Sequence, residues 1–181
     1  TLIPVFITGG IHLDGFADTM DAKSSYGDRE KKLQILKDPH TGAFAIISLC
    51  CYFLLCVGIF SEMRTERLFA AALVFVFSRS LSGISVVTFP AAKNSGLLRT
   101  FQDGAQKRSV RIVLIFWLLA AGIGLYLTAG LCGVASIVVG LAVFLYYDRF
   151  SRKQFGGITG DLAGYFLQLC ELFMIAVLAL F

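Results

Sequence analysis

Long apolar runs separated by short polar segments dominate the chain. Each run approaches the roughly 20 residues that an α-helix needs to cross the hydrocarbon core of a bilayer. Five runs have this character: 42–60, 68–89, 111–129, 131–147 and 162–181. The pattern therefore predicts an all-α fold, a polytopic transmembrane helical bundle with five full spans.

The first apolar stretch, 1–11, is too short to cross a bilayer. It opens without Met, and it lacks the basic segment and small-residue cleavage site of a signal peptide. We interpret it as the end of a partial N-terminal helix whose beginning lies upstream. Because no repeat, low-complexity tract or Pro/Ser linker divides the chain, we expect residues 1–181 to form a single integral-membrane domain.

The composition favours lipid as the solvent of this protein. Hydrophobic residues make up 57% of the chain and charged residues 15%, whereas soluble domains average roughly 45–50% and about 25%. A water-soluble surface is difficult to build from such a composition. The lipid bilayer is therefore the first partner that the sequence predicts.

The basic residues are concentrated in every second loop. Segment 22–41 carries five Lys and Arg residues, 90–110 carries four and 148–161 carries three, whereas the connection around Gly130 carries none. Lys and Arg in short loops mark the cytosolic side, so we expect the rich loops to face the cytosol. The net charge of +4 then needs no nucleic-acid partner, since basic residues at this side meet anionic headgroups or substrate phosphates.

Three aspartates follow the first apolar stretch at helical spacing. Asp14, Asp18 and Asp21 lie on one face if their segment is helical. Neighbouring carboxylates about 6 Å apart repel by about 3 kcal/mol at an effective dielectric constant of about 20. Oxygen ligands of this kind favour Mg²⁺, Ca²⁺ or Mn²⁺ over zinc. The alternative is a solvated acidic helix end, but acids beside a membrane span tend to mark functional sites.

A glycine-rich cluster precedes the last apolar run. Gly156, Gly160 and Gly164 form a GxxxGxxxG pattern, which is typical of close helix packing in a bilayer. The open alternative is a turn whose backbone N–H groups approach a phosphate near a helix N-terminus, with Asp161 as a further metal ligand. The loop charges place this cluster on the same side of the membrane as the three aspartates, so the two acidic sites are expected to converge.

Four further polar residues attract attention. Lys37 and His40 lie in a loop and could pair with phosphates or anchor the chain at the interface. Arg79 and Glu171 each lie near the middle of an apolar run, where a charge costs about 2.5–3.5 kcal/mol on insertion scales. They are expected either to pair as a structural lock or to leave Arg79 facing a cavity that holds substrate phosphate, and we favour the cavity for Arg79.

The polar motifs resemble those of a known family. The runs TGGIHLDGFADTMDA (8–22), ILKDPHTGAF (35–44) and GGITGDLAGYFLQLCEL (156–172) are similar to the cobalamin synthase family, the adenosylcobinamide-GDP ribazoletransferases. Members of this family usually carry additional N-terminal membrane segments. The chain departs from the family pattern at Ala22, His40, Ala45, Lys93 and Ser95.

The resemblance implies a reaction and a cellular place. A hydroxyl of α-ribazole, or of its 5′-phosphate, would attack the cobinamide-side phosphate of adenosylcobinamide-GDP, and GMP would leave. The enzyme would be a multi-pass protein of the cell inner membrane with its site facing the cytosol, and its oligomeric state, a homo-oligomer included, stays open. Two rivals are another membrane phosphotransferase of the CDP-alcohol type and a cation-coupled transporter.

The resemblance also implies roles for single residues. Mg²⁺ would be held by Asp14, Asp18 and Asp161, while Asp21 would bind a second metal ion or act as general base. Lys37, Arg79 and Lys93 are candidate phosphate clamps, and Lys37 is also a candidate catalytic residue. His12 is a candidate base or a support for one. The backbone positions implied in substrate binding are Gly9, Gly10, Gly157, Thr159 and Gly160.

Overall fold

Apolar helices form the body of the protein. The computed structural model describes residues 2–92, 104 and 106–181. The helices are α1 (Ile3–Thr8), α2 (Ile11–Ser24), α3 (Arg29–Ile35), α4 (Ala43–Ser61), α5 (Leu68–Thr88), α6 (Lys107–Phe155) and α7 (Gly160–Leu180). Helices α4 to α7 are long and apolar enough to cross a membrane by length and composition. The predicted all-α, multi-pass membrane architecture is therefore confirmed.

Helix α6 is a hairpin rather than one straight rod. As a straight helix its 49 residues would extend about 73 Å, more than twice the roughly 30 Å of bilayer hydrocarbon. At Gly130 the backbone leaves helical geometry, with φ 56° and ψ −130°, and the chain turns back so that Gly133 packs against the carbonyl group of Leu125. The two arms, 107–129 and 131–155, supply the third and fourth predicted spans.

Helix α7 is the central helix of the bundle. In its most apolar stretch 67% of the residues are buried, against 11% in α4, so α4 presents most of its surface to lipid. Phe166 of α7 stacks on Tyr147 of α6 with ring centroids 4.9 Å apart, and Ser136 donates a hydrogen bond to the Met174 carbonyl at 3.1 Å. Close packing on several sides holds the start of α7 in a fixed position, and this start carries Asp161.

Polar contacts join the segments at one end of the bundle. The backbone of Ala92 donates to the Ile158 carbonyl at 2.9 Å, and the backbone of Ile158 donates to the Pro90 carbonyl at 2.9 Å. The Lys32 ammonium group of α3 donates to the Gln154 side chain at 2.5 Å. The segments that follow α2, α5 and the second arm of α6 therefore meet at the same end, as the alternation of basic loops predicts.

Candidate active site

Helices α2 and α7 cross at two glycines. A Cβ atom on Gly15 of α2 would lie 2.7 Å from the Asp161 carbonyl oxygen, and one on Gly164 of α7 would lie 2.9 Å from the His12 carbonyl oxygen. These distances are shorter than those of real Cβ contacts, so the two backbones touch only because both positions lack a side chain. The crossing brings the first turn of α7 directly onto the acidic helix.

Four carboxylates gather around this crossing. Asp14, Asp18 and Asp21 all lie on α2, as predicted, with Asp14 exposed and the other two half-buried. Partial burial, followed by the negative charges of Asp14, Asp161 and Asp21, raises the pKa of Asp18 to about 6. The acids from the two distant stretches therefore lie within electrostatic reach of one another, and the expected convergence of the two acidic sites is present.

The donor chemistry fits a hard divalent cation that also binds substrate. In the described parts of the chain, no three His, Cys, Asp or Glu side chains lie close enough together to enclose a metal ion by themselves. Mg²⁺ usually keeps several water molecules and is held by one or two carboxylates together with substrate phosphates. A crossing with carboxylates on both helices suits that kind of site, and the predicted ligand roles of the four aspartates stay predictions.

Asp21 has a contact that the other aspartates do not share. Its Oδ2 atom accepts a hydrogen bond from the Gly42 backbone N–H at 2.6 Å, and its Oδ1 atom accepts one from the Ala45 N–H at 2.9 Å. Both donors belong to the start of α4. Asp21 thus ties the end of α2 to the beginning of the next long helix.

The turn before α7 positions Asp161. Gly156 ends α6 with a φ of 78°, a left-handed conformation that favours glycine. Thr159 then caps α7, since its hydroxyl oxygen accepts a hydrogen bond from the Leu162 N–H at 3.2 Å, and the same hydroxyl lies 3.4 Å from Asp161 Oδ2. The glycine pattern was open to two interpretations, close helix packing and a turn. The structure shows close packing at Gly164 and a turn at Gly156.

Several predicted substrate-binding positions lie in open surroundings. Gly9 and Gly10 form the joint between α1 and α2, with φ values of 63° and 80°, and a Cβ atom on either would meet nothing within 4 Å. Gly160, the first residue of α7, is equally open, whereas Gly157 packs against the 90–92 backbone. Their roles toward substrate stay predictions.

The predicted basic clamps are spread over three regions. Lys37 is exposed in the loop between α3 and α4. In the same loop His40 Nδ1 lies 2.7 Å from Asp38 Oδ1. Lys93 lies outside the described residues.

Arg79 and Glu171 pair with each other inside the bundle. Arg79 Nη1 lies 2.5 Å from Glu171 Oε1, and the Ser78 hydroxyl donates to the same oxygen at 2.9 Å. The pairing is the structural lock that the sequence left open as one of two possibilities. The predicted phosphate-binding role of Arg79 stays a prediction.

Arg79 also lines a pocket that is partly open to the outside. His12 lines the same pocket, as do Tyr52 and Gln168, whose side chains are hydrogen-bonded to each other. Burial, and then the positive charge of Arg79, lower the pKa of His12, so its imidazole is neutral at pH 7. The His12 ring therefore lines the pocket as an uncharged group.

One residue of this region, Arg29, and one role of Asp21 were missed by the sequence analysis. The Arg29 guanidinium packs against Gly156 and donates to the Ala92 carbonyl at 3.3 Å, which clips α3 to the turn before α7. The capping role of Asp21 was also missed. A signal for it existed, because Gly42 opens a long helix without a side chain that could cap it.

Comparison with known proteins identifies the family. Residues 1–179 match the family model described as cobalamin-5-phosphate synthase. The chain belongs to this family. The predicted resemblance is thereby confirmed.

Several curated relatives are between about one third and one half identical to the chain over the aligned residues. Adenosylcobinamide-GDP ribazoletransferase of Lachnoclostridium phytofermentans is 49% identical over 95% of this chain and 66% of its own length. Proteins of the same name from Clostridium perfringens strain SM101 and Pseudomonas savastanoi pv. phaseolicola are 36% and 35% identical, over 93% and 97% of this chain and 68% and 72% of their own lengths. The chain thus spans about two thirds of the length of these relatives. No solved structure matches it.

Proposed function

We propose that this chain is the catalytic part of an adenosylcobinamide-GDP ribazoletransferase. A hydroxyl of α-ribazole, or of its 5′-phosphate, attacks the cobinamide-side phosphorus of adenosylcobinamide-GDP. The P–O bond to the GMP phosphate breaks, GMP leaves, and the hydroxyl proton passes to a base. The product is adenosylcobalamin or its 5′-phosphate. Membership of the family supports this reaction, and so does the gathering of carboxylates where α2 crosses α7.

The observation that carries the proposal is the contact between Gly15 and the backbone of Asp161. This contact places a carboxylate of α7 beside the acidic face of α2. Partial burial and the negative charges of three other aspartates there raise the pKa of Asp18. Such a group is stabilised by a cation, and carboxylates drawn from Asp14, Asp18 and Asp161 would hold Mg²⁺ there together with the substrate phosphates. When bound, Mg²⁺ neutralises the pyrophosphate charge and that of the leaving phosphate.

The protein contributes positioning. The Thr159 hydroxyl restrains the Asp161 carboxylate, and the packed start of α7 limits its movement. Lys37 and Lys93 serve as candidate phosphate clamps, since an ammonium group binds phosphate as a point charge. Precise placement of reacting groups is a large part of phosphoryl-type transfer.

In this proposal the protein spans the inner membrane and its active site faces the cytosol. The described parts of the segments rich in Lys and Arg lie at the end of the bundle that carries the acidic crossing, and such segments favour the cytosolic side. Labelling of single cysteines introduced at position 37 and position 64 with a membrane-impermeant maleimide tests the orientation. Labelling of position 37 from outside intact cells would contradict it.

The activity is tested with membranes that contain the full-length protein. Incubation with adenosylcobinamide-GDP and α-ribazole should release GMP and form adenosylcobalamin in equal amounts, EDTA should stop the reaction, and added Mg²⁺ should restore it. GMP release that does not require α-ribazole would indicate a hydrolase. Transfer to a lipid alcohol in place of α-ribazole would favour a CDP-alcohol type of phosphotransferase.

A second measurement does not depend on turnover. Mn²⁺ binding to the purified protein, followed by electron paramagnetic resonance in the presence of adenosylcobinamide-GDP, reports the metal site directly. We expect binding by the parent protein and competition by Mg²⁺. Unchanged Mn²⁺ binding after replacement of Asp18 by Asn would remove that residue from the ligand set.

A further inference from the structure

The start of α4 receives its cap from another helix. Its N-cap residue is Gly42, with φ −84° and ψ 171°, so the cap position has no side chain that can accept a hydrogen bond. The Asp21 carboxylate of α2 accepts from the N–H of Gly42 at 2.6 Å and from the N–H of Ala45 at 2.9 Å. These are the N-cap and third helical positions, the two donors that a capping box satisfies with two separate side chains. One carboxylate from α2 satisfies both.

The fit between Asp21 and Gly42 is close. A Cβ atom on Gly42 would lie 2.7 Å from each carboxylate oxygen of Asp21. Any residue with a side chain at position 42 would therefore displace the carboxylate. Glycine is needed at this position because of Asp21, since the backbone conformation itself is one that any residue adopts.

We infer that Asp21 is a positioning residue that fixes the start of α4 and the loop preceding it, which carries Lys37, against the acidic helix. It is then neither a Mg²⁺ ligand nor the general base, which leaves Asp14, Asp18 and Asp161 as the candidate ligands. This inference rests on the proposed function only for its catalytic readout. Its structural content, a cap supplied across two helices, stands on the two hydrogen bonds.

Asparagine at position 21 separates capping from metal binding. Asn and Asp are about equally good caps, whereas the uncharged amide is a weaker ligand and no base. Asp21→Asn should therefore retain turnover with the same Mg²⁺ concentration dependence as the parent protein. Asp18→Asn, the matched control on the same helix face, should lose both turnover and the response to Mg²⁺. A loss of turnover in Asp21→Asn as large as that in Asp18→Asn would overturn the inference.

Alanine at position 21 removes the cap, and serine at position 42 can replace it. Asp21→Ala should raise the KM for adenosylcobinamide-GDP by about 2- to 30-fold, the range expected for a lost cap, with a smaller change in kcat. In the double variant Asp21→Ala/Gly42→Ser the space left by the carboxylate accepts the serine, whose hydroxyl caps α4 from its own N-cap position. Recovery of KM in the double variant supports the cap, because neither substitution supplies a carboxylate.

Two controls complete the set. Gly42→Ser alone should lower the free energy of unfolding, because the serine side chain would clash with the Asp21 carboxylate. Asp18→Ala/Gly42→Ser should not regain activity. Failure of the serine to improve KM in the Asp21→Ala background, with both proteins folded, would contradict the proposed role.

Hydrogen exchange provides a readout that does not depend on activity. The amides of Gly42 and Ala45 should exchange about 2- to 30-fold faster in Asp21→Ala than in the parent protein, and protection should return in the double variant. Unchanged exchange in Asp21→Ala would refute the cap itself. If the parent protein lacked transferase activity while the exchange pattern followed this expectation, the proposed function would fail and the cap would stand.

Discussion

The Cα atom of Gly15 lies directly against the backbone of Asp161, 146 positions later in the chain, so close that a Cβ atom on Gly15 would come within 2.7 Å of the Asp161 carbonyl oxygen. This contact brings the acidic face of α2 and the first turn of α7 together. The carboxylates of both helices then raise the pKa of Asp18 in addition to its burial. The geometry of the candidate site therefore depends on a glycine that carries no chemistry of its own.

Gly15→Ala tests this dependence. The added methyl group must push α2 away from α7, and overpacking of this kind costs about 1–3 kcal/mol in stability. A displacement of about 1 Å at a reacting centre lowers activity on the order of 100-fold, so we expect GMP release to fall by that factor. The measurement is the initial rate of GMP release in membranes with matched protein amounts.

Gly58→Ala is the matched control for that variant. Gly58 lies inside α4, where a Cβ atom would meet nothing within 4 Å. Alanine is a better helix former than glycine by about 1 kcal/mol, so this variant should keep full activity. Equal activity of the two variants would mean that the α2–α7 contact does not set the site.

Asp18→Asn tests the metal assignment. Asp18 is the carboxylate on which the others act, and its loss should lower GMP release by more than about 100-fold, equivalent to about 2.7 kcal/mol of lost transition-state stabilisation. The variant should remain folded and inserted, as judged by the elution profile and thermal unfolding in detergent. Retention of Mg²⁺-dependent turnover would exclude Asp18 as a ligand.

The Arg79–Glu171 pair distinguishes a structural lock from a phosphate clamp. Glu171→Leu leaves the arginine, whose side chain is 38% exposed, without its partner. The loss of such a half-buried pair costs at most about 3 kcal/mol, equivalent to at most about 6–12 °C in the midpoint of thermal unfolding. Arg79→Met/Glu171→Leu removes both charges and should restore the midpoint. If the double variant is stable and active, the pair is only a lock; if it is stable but has lost substrate affinity, Arg79 is a clamp after all.

Gly130 tests the hairpin within α6. Its φ of 56° and ψ of −130° belong to a region that residues with a Cβ atom rarely adopt, and strain of this kind costs about 1–3 kcal/mol. Gly130→Ala should therefore lower the midpoint of thermal unfolding. Gly122→Ala on the first arm is its control, because a Cβ atom there would lie at an ordinary 3.8 Å from Ile137 and Phe77. If the midpoint of thermal unfolding fell equally in Gly130→Ala and Gly122→Ala, backbone strain at Gly130 would not be its cause.

Much of this architecture could be predicted along the chain. The apolar runs marked the helices that cross the membrane, and the spacing of Asp14, Asp18 and Asp21 marked a shared helix face. Hydropathy did not mark where the second arm of α6 ends, since the helix continues beyond residue 147 to Phe155. There Arg152 pairs with Asp148 one turn earlier at 2.7 Å, so polar side chains support the helix past the end of the apolar run.

Other features join residues that lie far apart in the chain. The cap that Asp21 gives to Gly42 joins two residues with an ordinary loop and a short helix between them. The sequence identified Arg79 and Glu171 as charges in need of partners, and it left open whether they pair. Only the packing of α5 against α7 decided that they do.

The sequence by itself determined that the protein lies in a membrane as a helical bundle, which family it resembles, and which side chains bear charge on the helix α2. These properties follow from hydrophobicity and helical periodicity, and both act over a few neighbouring residues. The tertiary structure alone decided which charges meet. Electrostatic and hydrogen-bonding energies depend on distances of a few ångströms between segments far apart in the chain, and those distances are set by packing at positions such as Gly15, Gly42 and Gly164.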